Sequence, residues 1–178
     1  MQRKGSTMNV LRTIGYEGAY IDEFVDTLKE AGVTLLADVR AVAVSRKPGF
    51  SKNRLRERLA AEGIDYVHHV ELGDPKPGRE AARAGKFDLF RSIYGQHLSE
   101  ARAQEALHRL ERSVDGAAVC LLCFERDPLT CHRAIVANTL QDREDVRIEH
   151  LFVGGEAVGS GSGQRGTRGR PRESVAAA

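Results

Sequence analysis

Along the chain, short apolar runs alternate with segments whose apolar residues recur every three or four positions. "VLRTIG" (10–15) predicts a strand, and "GYEG" (15–18) predicts a tight turn at its end. "YIDEFVDTLKEAG" (20–32) sets Ile21, Phe24, Val25 and Leu28 on one helical face, and Gly32 stops it. "VTLLADVR" (33–40) is a continuous apolar run with a polar end, the pattern of a central parallel strand. The basic loop "SRKPGF" (45–50) precedes "KNRLRERLAAEG", a helix capped by Ser51 with Leu55 and Leu59 facing inward. "IDYVHHVELG" (64–73) alternates apolar and polar residues and predicts a third strand. "DPKPGREAARAGK" (74–86), with two prolines and two glycines, predicts a polar loop longer than a connector needs. Helices over 87–98 and 100–114 follow, the second capped by Ser99. A strand "AAVCLLCF" (117–124), a helix over about 128–141 and a strand "VRIEHLFV" (146–153) complete the series.

This alternation predicts one three-layer α/β domain over 9–154. Its central sheet of about five strands is mostly parallel, with helices on both faces, a Rossmann-like arrangement. If the first three strands wind one way and the last two the other, the strand order is 3-2-1-4-5. Strands one and four then meet at the topological switch point, where ligands of such sheets bind beyond the carboxyl ends of the strands. That edge gathers "GYEG", "DVR" and the segment 121–140. Residues 1–8 read as a flexible N-terminus, and the Gly/Ser/Arg-rich residues 155–178 as a disordered tail.

Composition changes this picture in a few places. The formal charge of +2 is an uneven average, because the tail from Gly159 holds four arginines against Glu173. What remains carries 23 basic and 24 acidic residues, so the body has no electrostatic reason to bind nucleic acid. Tryptophan is absent and aromatics make up 6%, which excludes an extensive base-stacking surface. No apolar run reaches the roughly 20 residues of a membrane span, and residues 1–20 lack a signal-peptide core. Three cysteines without an export signal read as reduced thiols of a cytoplasmic protein.

The chemistry concentrates in "LLCFERDPLTCHRAIVANTL" (121–140), a strand-to-helix junction. Asp127-Pro128 opens a helix, with Cys131, His132 and Arg133 in its first two turns. Amide dipoles and a guanidinium there favour an anion, either a thiolate or a bound phosphate. Cys131 and Cys123 are therefore candidate nucleophiles, with Glu125 and His132 as candidate proton carriers. Candidate binding residues are Arg133, Arg40 and Asp38 of "DVR", Tyr16 and Glu17 of "GYEG", and Arg46 of the basic loop. Each has a plainer reading: Asp38 and Arg40 form an internal ion pair, Cys123 is a core thiol, and Cys131 packs while Arg133 pairs with an acid. Cys120 and Cys123 face opposite sides of a strand and cannot share one ion, and the adjacent Cys131 and His132 are poor joint ligands. No metal site and no cofactor are expected.

Together, "TIGYEG" (13–18), "LADVRAVAVSRKPGFSK" (36–52), "GIDYVHHVELG" (63–73) and "CFERDPLTCHR" (123–133) resemble the domain of unknown function 488 (DUF488) family. The last piece carries a Cys-x-Glu…Pro-x-x-Cys-His-Arg signature, with Phe124 standing where alanine is common. The resemblance implies a compact α/β domain and no agreed activity. Three functions stay open. The first is an enzyme with a cleft for a small anionic or phosphorylated substrate and thiol-dependent chemistry. The second is a nucleic-acid-binding module using the basic loop and arginine tail. The third is a thiol and arginine network that only holds the fold together.

Overall fold

The strand-forming runs differ in how completely they are buried, and that difference orders the sheet. In a computed structural model, which describes residues 9–155, five strands and six helices alternate. They are β1 Asn9–Gly15, α1 Ile21–Glu30, β2 Leu35–Asp38, α2 Lys52–Ala60, β3 Asp65–His68 and α3 Lys76–Arg83. Then follow α4 Phe87–Leu98, α5 Ala101–Val114, β4 Val119–Cys123, α6 His132–Gln141 and β5 Val146–Leu151. Every residue of β2 and β4 is buried, whereas β3 alternates between exposed and half-buried positions. All pairings are parallel, in the order β3-β2-β4-β1-β5.

This corrects the expected order 3-2-1-4-5. Strands one and four are neighbours as expected, but β4 lies between β1 and β2. Its "VCLLC" run needs apolar cover on both faces, and the centre of the sheet provides that. α1 and α2 pack on one face against Ile14, Leu36, Cys120 and Leu122. α3, α4, α5 and α6 cover the other, against Leu11, Ala37, Val119 and Leu121. β1 and β2 thus exit toward one face and β3 and β4 toward the other. β4 consequently has a switch point on each side of its carboxyl end.

Three local expectations are also revised. The stretch 74–86 holds α3, not a loop: Pro77 sits in its first turn, and Gly85, at φ +70°, follows its end. Ser99 closes α4 rather than capping α5. The expected helix over about 128–141 is a 3-10 turn, Pro128–Thr130, followed by α6. Asp127 caps the turn, and Cys131 itself is the N-cap of α6, its Sγ accepting from the Arg133 amide at 3.5 Å. The expectations for residues 1–8 and for the tail from 156 onward lie outside the described residues. Among the described residues, no helix is long and apolar enough to cross a membrane.

Candidate functional site

Two close backbone approaches shape the carboxyl edge of the sheet. A Cβ on Gly15 would lie 1.9 Å from the Glu125 carbonyl oxygen, and one on Gly73 would lie 2.2 Å from the Ala41 Cα. Glycine is therefore required where the β1 exit meets the β4 exit, and where the β3 exit meets the β2 exit. Between these loops opens a cleft of about 730 Å³, with Cys123, Glu125, His132 and Arg40 in its wall. An adjoining pocket of about 280 Å³ reaches Cys131. The two share Asp74, Arg79, Arg83, Phe124, Glu125 and His132.

At the inner end, Cys123, Cys131 and His132 are all buried, and their ligand-capable atoms lie within 4.8 Å of one another. His132 Nε2 donates to the Val39 carbonyl at 2.7 Å, which turns Nδ1 toward the sulfurs, 3.6 Å from Cys123 and 3.9 Å from Cys131. The ring packs against buried Tyr94, whose hydroxyl donates to the Leu72 carbonyl. Cys123 Sγ donates to Glu125 at 3.0 Å. Cys131 and His132 can serve together because Cys131 is extended (φ −128°, ψ 143°) while His132 begins the helix. The bend brings adjacent side chains to one point.

The electrostatics separate the two thiols. Burial pushes Cys123 well above the ordinary thiol range, and the neighbouring Cys131 and Glu125 push it further. Burial acts the same way on Cys131, but the Cys123 hydrogen bond, His132 and Arg133 outweigh it, and this thiol lies well below its ordinary range. Burial alone would lower His132; the Cys131 thiolate and the Val39 bond raise it to about 9. Glu125 is raised, first by burial and then by Cys131.

The remaining expected residues divide. Arg40 lines the cleft, but its Nε and Nη2 donate to Asp38 and its Nη1 to Tyr16 and the Phe50 carbonyl. Asp38 is fully buried and also accepts from Tyr66. Tyr16 lines the cleft, stacked on Phe50 at 4.4 Å. Arg133 is fully buried behind the site, donating to Thr13 and to the Glu125 and Arg126 carbonyls, so it holds the 125–126 loop instead of facing the cleft. Glu17 is exposed, accepts from the Arg126 amide and lies outside the cleft wall. Arg46 lines the cleft together with Lys47. His68 bonds the Arg40 carbonyl, and neither it nor His69 lines the cleft.

The sequence reading missed Asp74, Arg79 and Arg83. All three come from the stretch read as a loop. The signal was present: Gly78, Ala81 and Ala82 are small residues at helical spacing, and Arg79 and Arg83 stand four apart on one face. Asp74 is buried, its side chain accepts no hydrogen bond among the described residues, and burial raises it to about 6. Arg46, Lys47, Arg79 and Arg83 form no ion pair among the described residues; Arg79 donates only to the Asp74 backbone carbonyl.

No curated protein and no solved structure matches the chain. A family model does, over residues 20–140, from the edge of α1 to the last turn of α6. That span holds every residue of the inner cluster and both cleft arginines of α3, and leaves out only Tyr16 and Glu17 among the expected site residues. The matching model is the domain of unknown function DUF488, and the chain belongs to that family.

Proposed function

We propose that the chain is an enzyme that binds a small anionic molecule, with phosphate the best-fitting group, and acts on it at the Cys123–Cys131–His132 cluster. One observation carries this reading. Four cations without carboxylate partners among the described residues line a cleft whose inner end is a buried thiol and imidazole cluster. Guanidinium groups favour phosphate and carboxylate through paired N–H donors. The anionic end of the ligand rests on Arg79 and Arg83, with Arg46 and Lys47 across the cleft. Its less polar part lies against Tyr16, Phe124 and the exposed Val42 and Val44 at the rim. Glu125 and His132 stand beside the thiols as proton carriers.

The concave placement of these cations favours a small ligand over a nucleic-acid backbone, which asks for charge along an open surface. The structural-network reading is supported for Arg40 and Arg133 and coexists with a working cleft. Calorimetry with phosphate, pyrophosphate and nucleoside mono- and diphosphates tests the proposal. At least one should bind with salt-sensitive affinity and shield Cys131 from iodoacetamide, as assigned by mass spectrometry. If none binds and the labelling pattern never changes, the reading is abandoned.

A further inference from the structure

Around one ion with tetrahedral angles, a sulfur at about 2.3 Å and a nitrogen at about 2.0–2.1 Å stand about 3.6 Å apart. The two sulfur-to-nitrogen edges of the inner cluster measure 3.6 and 3.9 Å without any ion holding them. His132 also has the second interaction that ligating histidines show. Its far nitrogen donates to a backbone carbonyl, which fixes the ring and leaves Nδ1 facing the sulfurs, its lone pair free for a metal once the proton it shares with Cys131 has left. An unpartnered carboxylate completes the surroundings: Asp74, only 4% exposed, lines the same small pocket as Cys131 and His132.

From this geometry we infer that Cys123, Cys131 and His132 bind a single soft divalent metal ion, zinc by chemical preference, with its fourth coordination position open to the cleft. Two thiolates and an imidazole suit zinc, and three protein ligands with a free position are the arrangement of catalytic rather than structural zinc. Binding releases two protons, one from the Cys123 sulfur and one shared between Cys131 and His132. Glu125, which now accepts from Cys123, is left to accept from a water in the fourth position, and Asp74 offers a second acceptor. The inference deepens the enzyme reading and rests on it only for what the ion would serve; the metal site stands or falls on its own.

The test uses the full chain purified without chelator. Metal content by inductively coupled plasma mass spectrometry should be roughly one zinc per chain. Cobalt(II) added to chelator-stripped protein should give a thiolate charge-transfer band and intense tetrahedral d–d bands. Cys131→Ser and His132→Ala should each lose the charge-transfer spectrum or weaken metal affinity at least 10-fold. Cys120→Ala is the control: its thiol belongs to the core under α1 and α2, and binding should be unchanged. Circular dichroism establishes that each variant is folded; if Cys131→Ser is not, Cys123→Ser and His132→Ala carry the test. Absence of stoichiometric metal with no cobalt charge transfer overturns the site, as does equal binding by the Cys131→Ser and Cys120→Ala proteins. Phosphate binding measured beside it separates the claims: binding without metal leaves a bare-thiol enzyme, and metal without binding leaves a metal site in search of another ligand.

Discussion

The two walls of the cleft contain the same residue types in opposite states. On the β2 side, Asp38 and Arg40 are buried together, and each polar atom of the pair is engaged: the carboxylate by Arg40 and Tyr66, the guanidinium by Asp38, Tyr16 and the Phe50 carbonyl. On the α3 side, Asp74 is also buried but its side chain accepts no hydrogen bond, and Arg79 and Arg83 form no ion pair among the described residues. A satisfied network gains rigidity and has little left for a ligand, while an unsatisfied one is costly until something binds. The β2 wall is therefore the frame, and under the proposed function the α3 wall is the surface left for a ligand.

Removing an arginine committed to the fold, Arg40 of this frame or Arg133 behind the site, gives the largest expected effect. Arg40→Ala leaves Asp38 buried without its counter-charge, a loss of about 3–5 kcal/mol. Arg133→Ala orphans two carbonyls of the 125–126 loop, at about 1–3 kcal/mol each. Urea unfolding should show both midpoints falling sharply, and Arg133→Lys should rescue little because an ammonium cannot span the three acceptors. If Arg40→Ala unfolds within about 0.5 kcal/mol of the wild type, the frame assignment is wrong.

The α3 wall should respond the other way. Arg83→Ala should change stability by less than about 0.5 kcal/mol, as surface substitutions do, and Arg79→Ala by about 1 kcal/mol, because it also gives up its bond to the Asp74 carbonyl. Phosphate-bearing ligands should bind more weakly, by roughly 10- to 100-fold per arginine if each makes a charged hydrogen bond of about 1.5–3 kcal/mol. Calorimetry at fixed salt reads this. Unchanged affinity in the double variant would move the ligand elsewhere.

This division explains which parts were legible in sequence. The elements followed from periodicity, since strands and helices here bury apolar residues at their own spacings: α4 spans 87–98 as the pattern predicted. Strand order did not follow, because it depends on which run can fill the centre, and the position of β4 between β1 and β2 is a tertiary outcome. The inner cluster was legible as a local motif, whereas its convergence was not. Nothing in the adjacency of Cys131 and His132 announces that an extended N-cap turns both inward. The arginines beside the motifs drew attention because of their neighbours, yet Arg40 and Arg133 commit their donors to the fold. The cleft-lining Arg79 and Arg83 lay in a segment whose prolines and glycines disguised a helix.

The smallest effect sharpens the contrast between the two buried aspartates. Asp74 in the fold titrates at about 6 because burial disfavours its charge, against 3.8 for the ordinary side chain. A raised carboxyl contributes its full stability below the unfolded value and loses it as pH rises through the folded one. Each tenfold change in proton affinity is worth about 1.4 kcal/mol, discounted here because the open cleft lets solvent screen the charge. The chelator-stripped protein should therefore forfeit about 1–2 kcal/mol between roughly pH 4 and pH 7. Asp74→Asn removes the charge and that loss together, so it should stabilise the stripped protein at pH 8 and do so progressively less toward pH 4. Asp38→Asn should do the reverse at pH 8, since there the charge is matched by Arg40. Paired urea titrations at the two pH values give the sign directly: a gain for Asp74→Asn that ignores pH would mean the carboxylate is not the source of the strain.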